Sequence, residues 1–194
     1  WITTVTYYDE KARPIYIYSK NDYLNTIDIL ESKLDDFTGK VLETKTYHSK
    51  TDDNIASTIE ITDAFEYDHT DRLKKQNQTI GSHTETIVEN TYDDLGQLIT
   101  KGVGGKSSLS RLQTVDYKYN VRGWLKEIND TDNLGADLFS FKLNYNNIDI
   151  SGSTPLYNGN ISETIWYTVN DVSNSSVYKR GYNFKYDALN RITA

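Results

Sequence analysis

The sequence predicts an all-β chain, built as serial antiparallel β-hairpins laid side by side in a strip. Three observations predict it. Tyrosine is in excess, with 16 of the 194 residues, and aromatics reach 12%. Aromatic residues alternate with polar ones at several places, which is the period-2 signature of half-buried strand. One short unit also recurs along the chain, the mark of a repeat architecture.

The unit reads Tyr, Asp or Asn, two variable residues, a turn residue, a polar residue, then an aliphatic. Tyr8-Asp9-Glu10-Lys11-Ala12-Arg13-Pro14 is a decayed first copy, preceded by the strand-like run from Trp1 to Tyr7. Asp35-Asp36-Phe37-Thr38-Gly39-Lys40-Val41 is a second copy that has lost the Tyr. Tyr67-Asp68-His69-Thr70-Asp71-Arg72-Leu73, Tyr92-Asp93-Asp94-Leu95-Gly96-Gln97-Leu98 and Tyr119-Asn120-Val121-Arg122-Gly123-Trp124-Leu125 follow. Tyr145-Asn146-Asn147-Ile148-Asp149-Ile150 is one residue short, and Tyr186-Asp187-Ala188-Leu189-Asn190-Arg191-Ile192 closes the series. The copies start near 8, 35, 67, 92, 119, 145 and 186. Most steps lie in the mid-twenties, long enough for two strands and their turns. The longest step holds an insertion around Ser151 to Pro155.

Each part of the unit has a physical reason. Phe65 and Tyr67 flank Glu66, Tyr117 and Tyr119 flank Lys118, and Phe184 and Tyr186 flank Lys185. Aromatics therefore share one face of a strand. The repeat tyrosines Tyr8, Tyr67, Tyr92, Tyr119, Tyr145 and Tyr186 end these strands and are structural. Asp or Asn then opens a turn by bonding its side chain to the backbone ahead. The fifth position needs positive φ, as in a hairpin closed by a type I turn and a left-handed residue. Gly39, Asp71, Gly96, Gly123 and Asn190 occupy it, and these types reach that region at least cost. Ala12 is the exception. The aliphatic re-enters a strand. Helix competes only over residues 26–37, where the alternation is mixed. Gly102, Gly104, Gly105, Ser107 and Ser108 mark a flexible loop.

Composition narrows the function classes. Apolar residues other than Tyr, with Gly added, are roughly a third of the chain, below the usual ~45–50%. No run approaches the ~20 apolar residues of a membrane-spanning helix. The net charge of −7 disfavours nucleic acid, and Arg72, Lys74 and Lys75 are too small a basic cluster to reverse that. With no Cys, disulfides, thiolate metal sites and cysteine nucleophiles are excluded. The chain has no Met and opens directly on a strand-like run, so the expectation is one repeat region, 1–194, belonging to a longer polypeptide.

The unit resembles the YD repeat, also called the RHS repeat, whose usual form is Tyr-Asp-x-x-Gly-Arg-Leu. The resemblance extends from Tyr8 to Ile192. Two stretches, Leu112 to Asn129 and Tyr157 to Trp166, look like the segment leading to the core of long secreted bacterial RHS proteins. The resemblance implies a curved strip of an RHS-type β-shell, in a protein that is secreted or on the bacterial cell surface. In many members the shell encloses a C-terminal toxin; others act in adhesion. The self-cleaving Asp-Pro motif of the family is missing, since Pro14 follows Arg13 and Pro155 follows Thr154.

Other motifs carry little chemistry. Gly105-Lys106-Ser107 lacks the first Gly of a phosphate loop, because Thr100 stands there. Asp130-Thr131-Asp132-Asn133-Leu134-Gly135 opens like a calcium loop, but position 5 is Leu134 and position 12 is Phe141. His48, His69 and His83 fall in different copies, without the convergence that zinc needs. Gly81-Ser82-His83 lacks the nucleophile-elbow pattern. Asp35-Asp36 and Asp52-Asp53 would point to opposite faces of a strand. No catalytic residue, cofactor or metal site is assigned.

The expected function is a non-catalytic structural wall that encloses or presents another polypeptide, such as a toxin or effector. Its partners would be the rest of the same polypeptide and a secretion or surface apparatus. The alternative is a cell-surface adhesin or glycan-binding module using an exposed Tyr/Trp patch near Trp124 or Trp166. Cross-strand packing is the competing explanation for those aromatics.

Overall fold

A computed structural model describes residues 1–52, 55–107, 110–173, 176–177 and 179–193. Asp53 and Ser108, which figure in the carboxylate pair and the Gly/Ser loop above, lie outside the described residues, as does the side chain of Asp52. Among the described residues the fold is all-β, with thirteen strands paired antiparallel to their neighbours and two more in a separate ribbon. The chain forms two compact units. Unit 1 comprises Trp1–Asn90 and Val103–Leu112, and unit 2 comprises Thr91–Gly102 and Gln113–Ala194.

Unit 1 is a meander of β1 (Ile2–Tyr8), β2 (Pro14–Asn21), β3 (Thr26–Leu34), β4 (Val41–Asp52), β5 (Ile55–Tyr67), β6 (Leu73–Ile80) and β7 (His83–Tyr92, which runs two residues past the unit). Every strand pairs with the next in sequence. Residues 26–34, where helix competed, are β3. Thr26 to Glu31 pair with β2, and the whole strand pairs with β4. Cross-strand apolar pairs such as Ile17 with Leu30 and Tyr18 with Ile29 settle the contest, because an isolated three-turn helix has nothing comparable to bury against.

Unit 2 holds β8 (Leu98–Val103, whose last residue falls in unit 1), β9 (Gln113–Tyr119), β10 (Leu125–Ile128), β11 (Phe139–Asn144), β12 (Glu163–Thr168) and β15 (Arg180–Asn183), side by side in that order. The short ribbon of β13 (Val172–Ser173) and β14 (Ser176–Val177) lies between β12 and β15 in sequence. The loop 103–112 is stitched to β7 in unit 1: Gly104 N donates to Ile87 O at 3.1 Å, and Thr86 N to Gly105 O at 3.0 Å. Gly102 is itself part of β8 and is buried.

Buried apolar side chains are few among the described residues: Val88, Leu134, Ile165 and Tyr167. The largest fully buried side chains are instead polar, Glu163, Thr131, Ser140 and Ser162, all in unit 2. Burial of polar groups is tolerable only when they are bonded, and the bonds of Glu163 show how the need is met here.

Candidate functional site

The repeated corner is the most regular feature of the molecule. In five copies the Asp or Asn N–H donates to the carbonyl four residues on, and its own carbonyl accepts from the residue three on. Asp9 pairs so with Arg13 and Ala12, Asp68 with Arg72 and Asp71, Asp93 with Gln97 and Gly96, Asn120 with Trp124 and Gly123, and Asp187 with Arg191 and Asn190. This is a type I turn completed by a left-handed residue. φ is positive at Asp71 (69°), Gly96 (85°), Gly123 (79°) and Asn190 (60°), and also at Ala12 (59°). The decayed copy therefore keeps the corner and carries an alanine in a strained region.

The side chain at the second position is the pivot. Oδ1 accepts two backbone amides in each: Lys11 and Arg13 on Asp9, Thr70 and Arg72 on Asp68, Leu95 and Gln97 on Asp93, Arg122 and Trp124 on Asn120, Leu189 and Arg191 on Asp187. Where position six is Arg, the free oxygen takes its Nε: Arg13 to Asp9 at 2.6 Å, Arg72 to Asp68 at 2.7 Å, and Arg191 to Asp187 at 2.7 Å. Where position six is Trp124, the pivot is the neutral Asn120. The Arg13 amide and guanidinium hold the Asp9 carboxyl below its ordinary range. At Asp68 desolvation pushes the other way, and the bonds from Arg72 and Thr70 outweigh it. Asp187 is lowered by the Arg191 amide and side chain.

Two copies differ from the sequence reading. In the second, the pivot is Asp35 and not Asp36. Asp35 N donates to Lys40 O at 2.7 Å, Gly39 N to Asp35 O at 3.0 Å, and Asp35 Oδ1 takes the amides of Phe37 and Thr38. The copy thus begins at Leu34, which pairs with Val41 as Tyr67 pairs with Leu73, and its turn is one residue longer. Gly39 still has positive φ, 75°. At Tyr145 there is no tight corner. β11 and β12 are joined by the long loop 145–162, in which Leu156 N returns to Tyr145 O at 2.8 Å. The insertion has replaced the turn.

The repeat tyrosines tie one corner to its neighbour. Tyr67 Oη donates to Val41 O at 2.9 Å, Tyr119 to Leu98 O at 3.0 Å, Tyr145 to Leu125 O at 3.0 Å and Tyr186 to Ile161 O at 2.9 Å. Val41, Leu98 and Leu125 are the residues at which the preceding copy re-enters its strand. Each hydroxyl therefore caps a carbonyl beside the end of a ladder. Tyr8 lies on β1 and is mostly exposed, and Tyr92 ends β7.

Glu163, at the start of β12, holds the long loop. Its Oε1 accepts Asn144 Nδ2 at 2.6 Å and Asp149 N at 2.5 Å, and Oε2 accepts Ile150 N at 3.1 Å. Burial pushes this carboxyl up, but the Asn144 side chain and the Asp149 and Ile150 amides prevail, and the net shift is down.

The remaining candidates have structural partners. Asp130 Oδ1 takes the amides of Asp132 and Asn133, and Asp132 pairs with Lys179 at 2.5 Å. His48 Nδ1 meets Asp28, His83 contacts Ser82, and His69 is exposed at a corner. Among the described residues no group of three or more His, Asp or Glu side chains is placed to hold a metal ion, and no helix is long and apolar enough to cross a membrane. Trp166 packs against Tyr182 with centroids 5.2 Å apart. Trp124 lies in a groove of about 430 Å³ in unit 2, with Tyr145 at 5.3 Å and the Arg122 guanidinium 5.1 Å above its ring.

No family model matches the chain, and no curated protein is significantly similar to it.

Proposed function

We propose that this chain is a non-catalytic wall segment of the RHS type, part of a larger secreted or cell-surface bacterial protein that encloses or presents another polypeptide. One observation carries the reading: the hydroxyls of Tyr67, Tyr119, Tyr145 and Tyr186 each reach a main-chain carbonyl at a neighbouring hairpin. Such a lock serves an array whose hairpins must stay in register, and it places no reactive group in reach of a substrate. The Tyr-Asp-x-x-Gly-Arg-Leu pattern supports the same reading, with every part of the motif given a mechanical task at the corner.

Limited proteolysis of the full-length polypeptide that contains these residues tests the proposal. A wall protects a second segment, which is cleaved only after the shell is opened by denaturant. Cleavage of every segment at one rate in native buffer would overturn it. The 194-residue chain expressed alone offers a second readout. Cut from a shell, it exposes strand edges and self-associates; a monodisperse monomer counts against the wall.

A further inference from the structure

We propose that the groove beside Trp124 is a binding site for an acidic saccharide, a pyranose ring carrying a carboxylate. The groove's volume of about 430 Å³ lies within the range of small-molecule sites. Its charge is the first argument. The chain carries 28 acidic residues and a net charge of −7, yet Arg122 and Lys126 line the groove and no Asp or Glu does. A local cationic lining in an acidic chain selects for an anion. Two cations are too few for a nucleic-acid backbone.

The second argument is Tyr157. The residue is 76% exposed, which packing does not explain. The chain is nonetheless tied on both sides of it, by a backbone bond before and a side-chain bond after. Leu156 N donates to Tyr145 O at 2.8 Å, and Asn158 Nδ2 donates to Asn190 Oδ1 at 3.0 Å. Gly159 closes on Trp124: a Cβ there would lie 2.8 Å from Cη2, and φ is +96°. An exposed aromatic on a fixed backbone is a preorganised stacking surface.

The third argument is unspent hydrogen-bonding capacity. Among the described residues the side-chain amides of Asn146 and Asn147 make no bond, and both line the groove, exposed. Asparagine amides offer a donor and an acceptor, which match vicinal hydroxyls. A uronic acid brings all three complements at once. Its C–H face covers Tyr157, its hydroxyls meet Asn146 and Asn147, and its carboxylate meets Arg122 and Lys126. An acidic peptide supplies the charge but not the flat apolar face.

Isothermal titration of the full-length polypeptide that contains these residues with tetragalacturonate tests the proposal, with maltotetraose and tetraglutamate as comparison probes. The expected result is saturable binding of tetragalacturonate alone, weakened by salt at ~0.5 M. Arg122→Ala lowers affinity roughly tenfold or more, the ordinary effect of deleting a hydrogen bond to a charged group. Tyr157→Ala weakens it by a similar factor and, because the side chain is exposed, leaves the melting temperature unchanged. Absence of binding at ~10 mM tetragalacturonate overturns the site. Equal binding of maltotetraose overturns its acidic selectivity. Equal binding of tetraglutamate that survives Tyr157→Ala overturns the saccharide in favour of an acidic peptide.

Discussion

Tyr119→Phe removes one oxygen and nothing else. The ring keeps its place at the end of β9, and the hydroxyl that donates to Leu98 O at 3.0 Å is lost. The Leu98 carbonyl is left short of a partner in a half-buried position. A neutral hydrogen bond of this kind contributes about 0.5–1.5 kcal/mol net. In a chain of this size that corresponds to a melting temperature lower by about 1–6 °C. Tyr117→Phe is the internal control. Tyr117 lies two residues earlier on the same strand face, also half-buried, and its hydroxyl has no partner among the described residues. Its loss costs close to nothing. Urea melts followed by circular dichroism read both variants, and an unchanged slope certifies that the unfolding is otherwise the same. Alkaline pH gives an independent check. Burial, then Tyr117 and Asp93, raise the Tyr119 hydroxyl above its ordinary value of 10.0. Its contribution is therefore full below pH ~10 and is lost as the pH climbs through the raised value. If Tyr119→Phe and Tyr117→Phe melt together, the corner lock is not what the tyrosine is for.

Other outcomes follow from the same geometry. Ala12→Gly stabilises the chain by up to about 1 kcal/mol, since alanine at φ 59° is strained and glycine is not, and a thermal melt detects it. Gly96→Ala, at φ 85°, costs a similar amount in the same assay. Glu163→Gln turns a carboxylate oxygen that accepts backbone amides into a donor, and it destabilises unit 2 by about 1–3 kcal/mol in a urea titration. Replacing Asp9, Asp68 and Asp187 together by Asn keeps the Oδ1 acceptor, as Asn120 does, and deletes the ion pairs with Arg. The three carboxyls lie below their ordinary 3.8, so their contribution is present above that pH and is lost as the pH falls further. The triple variant accordingly shows a flatter loss of stability in melts between pH ~5 and pH ~2.

The sequence carried the corners because each depends on local chemistry. Asp or Asn, a left-handed residue three later and an aliphatic beyond it are all legible within seven residues. The tyrosine lock is non-local, joining residues 20 to 26 apart, so the motif gives its donor but not its acceptor. One signal for it was present. Two residues before the four locking tyrosines the chain holds Phe65, Tyr117, Leu143 and Phe184, so a hydroxyl is dispensable there. At the repeat position Phe never appears, only Tyr or, in the shifted second copy, Leu34. That contrast asks for an oxygen. The second copy begins one residue earlier than the sequence suggests, because Asp35 and Asp36 are equivalent in sequence and only the amides of Phe37 and Thr38 distinguish them. The groove at Trp124 was half legible. The aromatic was visible, but the loop 145–162 that brings Tyr157, Asn146 and Asn147 beside it folds by bonds to Glu163 and Asn190 that no local pattern announces.

The scarcity of buried apolar side chains fixes where this chain is vulnerable. A protein held by a dry core loses most from large-to-small changes inside it. Here the strand faces are half-wetted. Ile59 is 52% exposed and Val5 39%, so trimming them removes little buried area. The corners are different. At the corner joining β5 and β6, one carboxylate accepts two amides, a threonine hydroxyl and a guanidinium, and the next residue back supplies the hydroxyl to Val41. Each of these groups left unpaired carries its own desolvation cost. Strands that contact only their neighbours transmit such damage one hairpin at a time. Breaking the Asp9 corner should therefore speed amide exchange in β1 and β2 and leave β5 and β6 protected. Uniform loss of protection across unit 1 would mean that a shared core, not a chain of corners, holds the strip together.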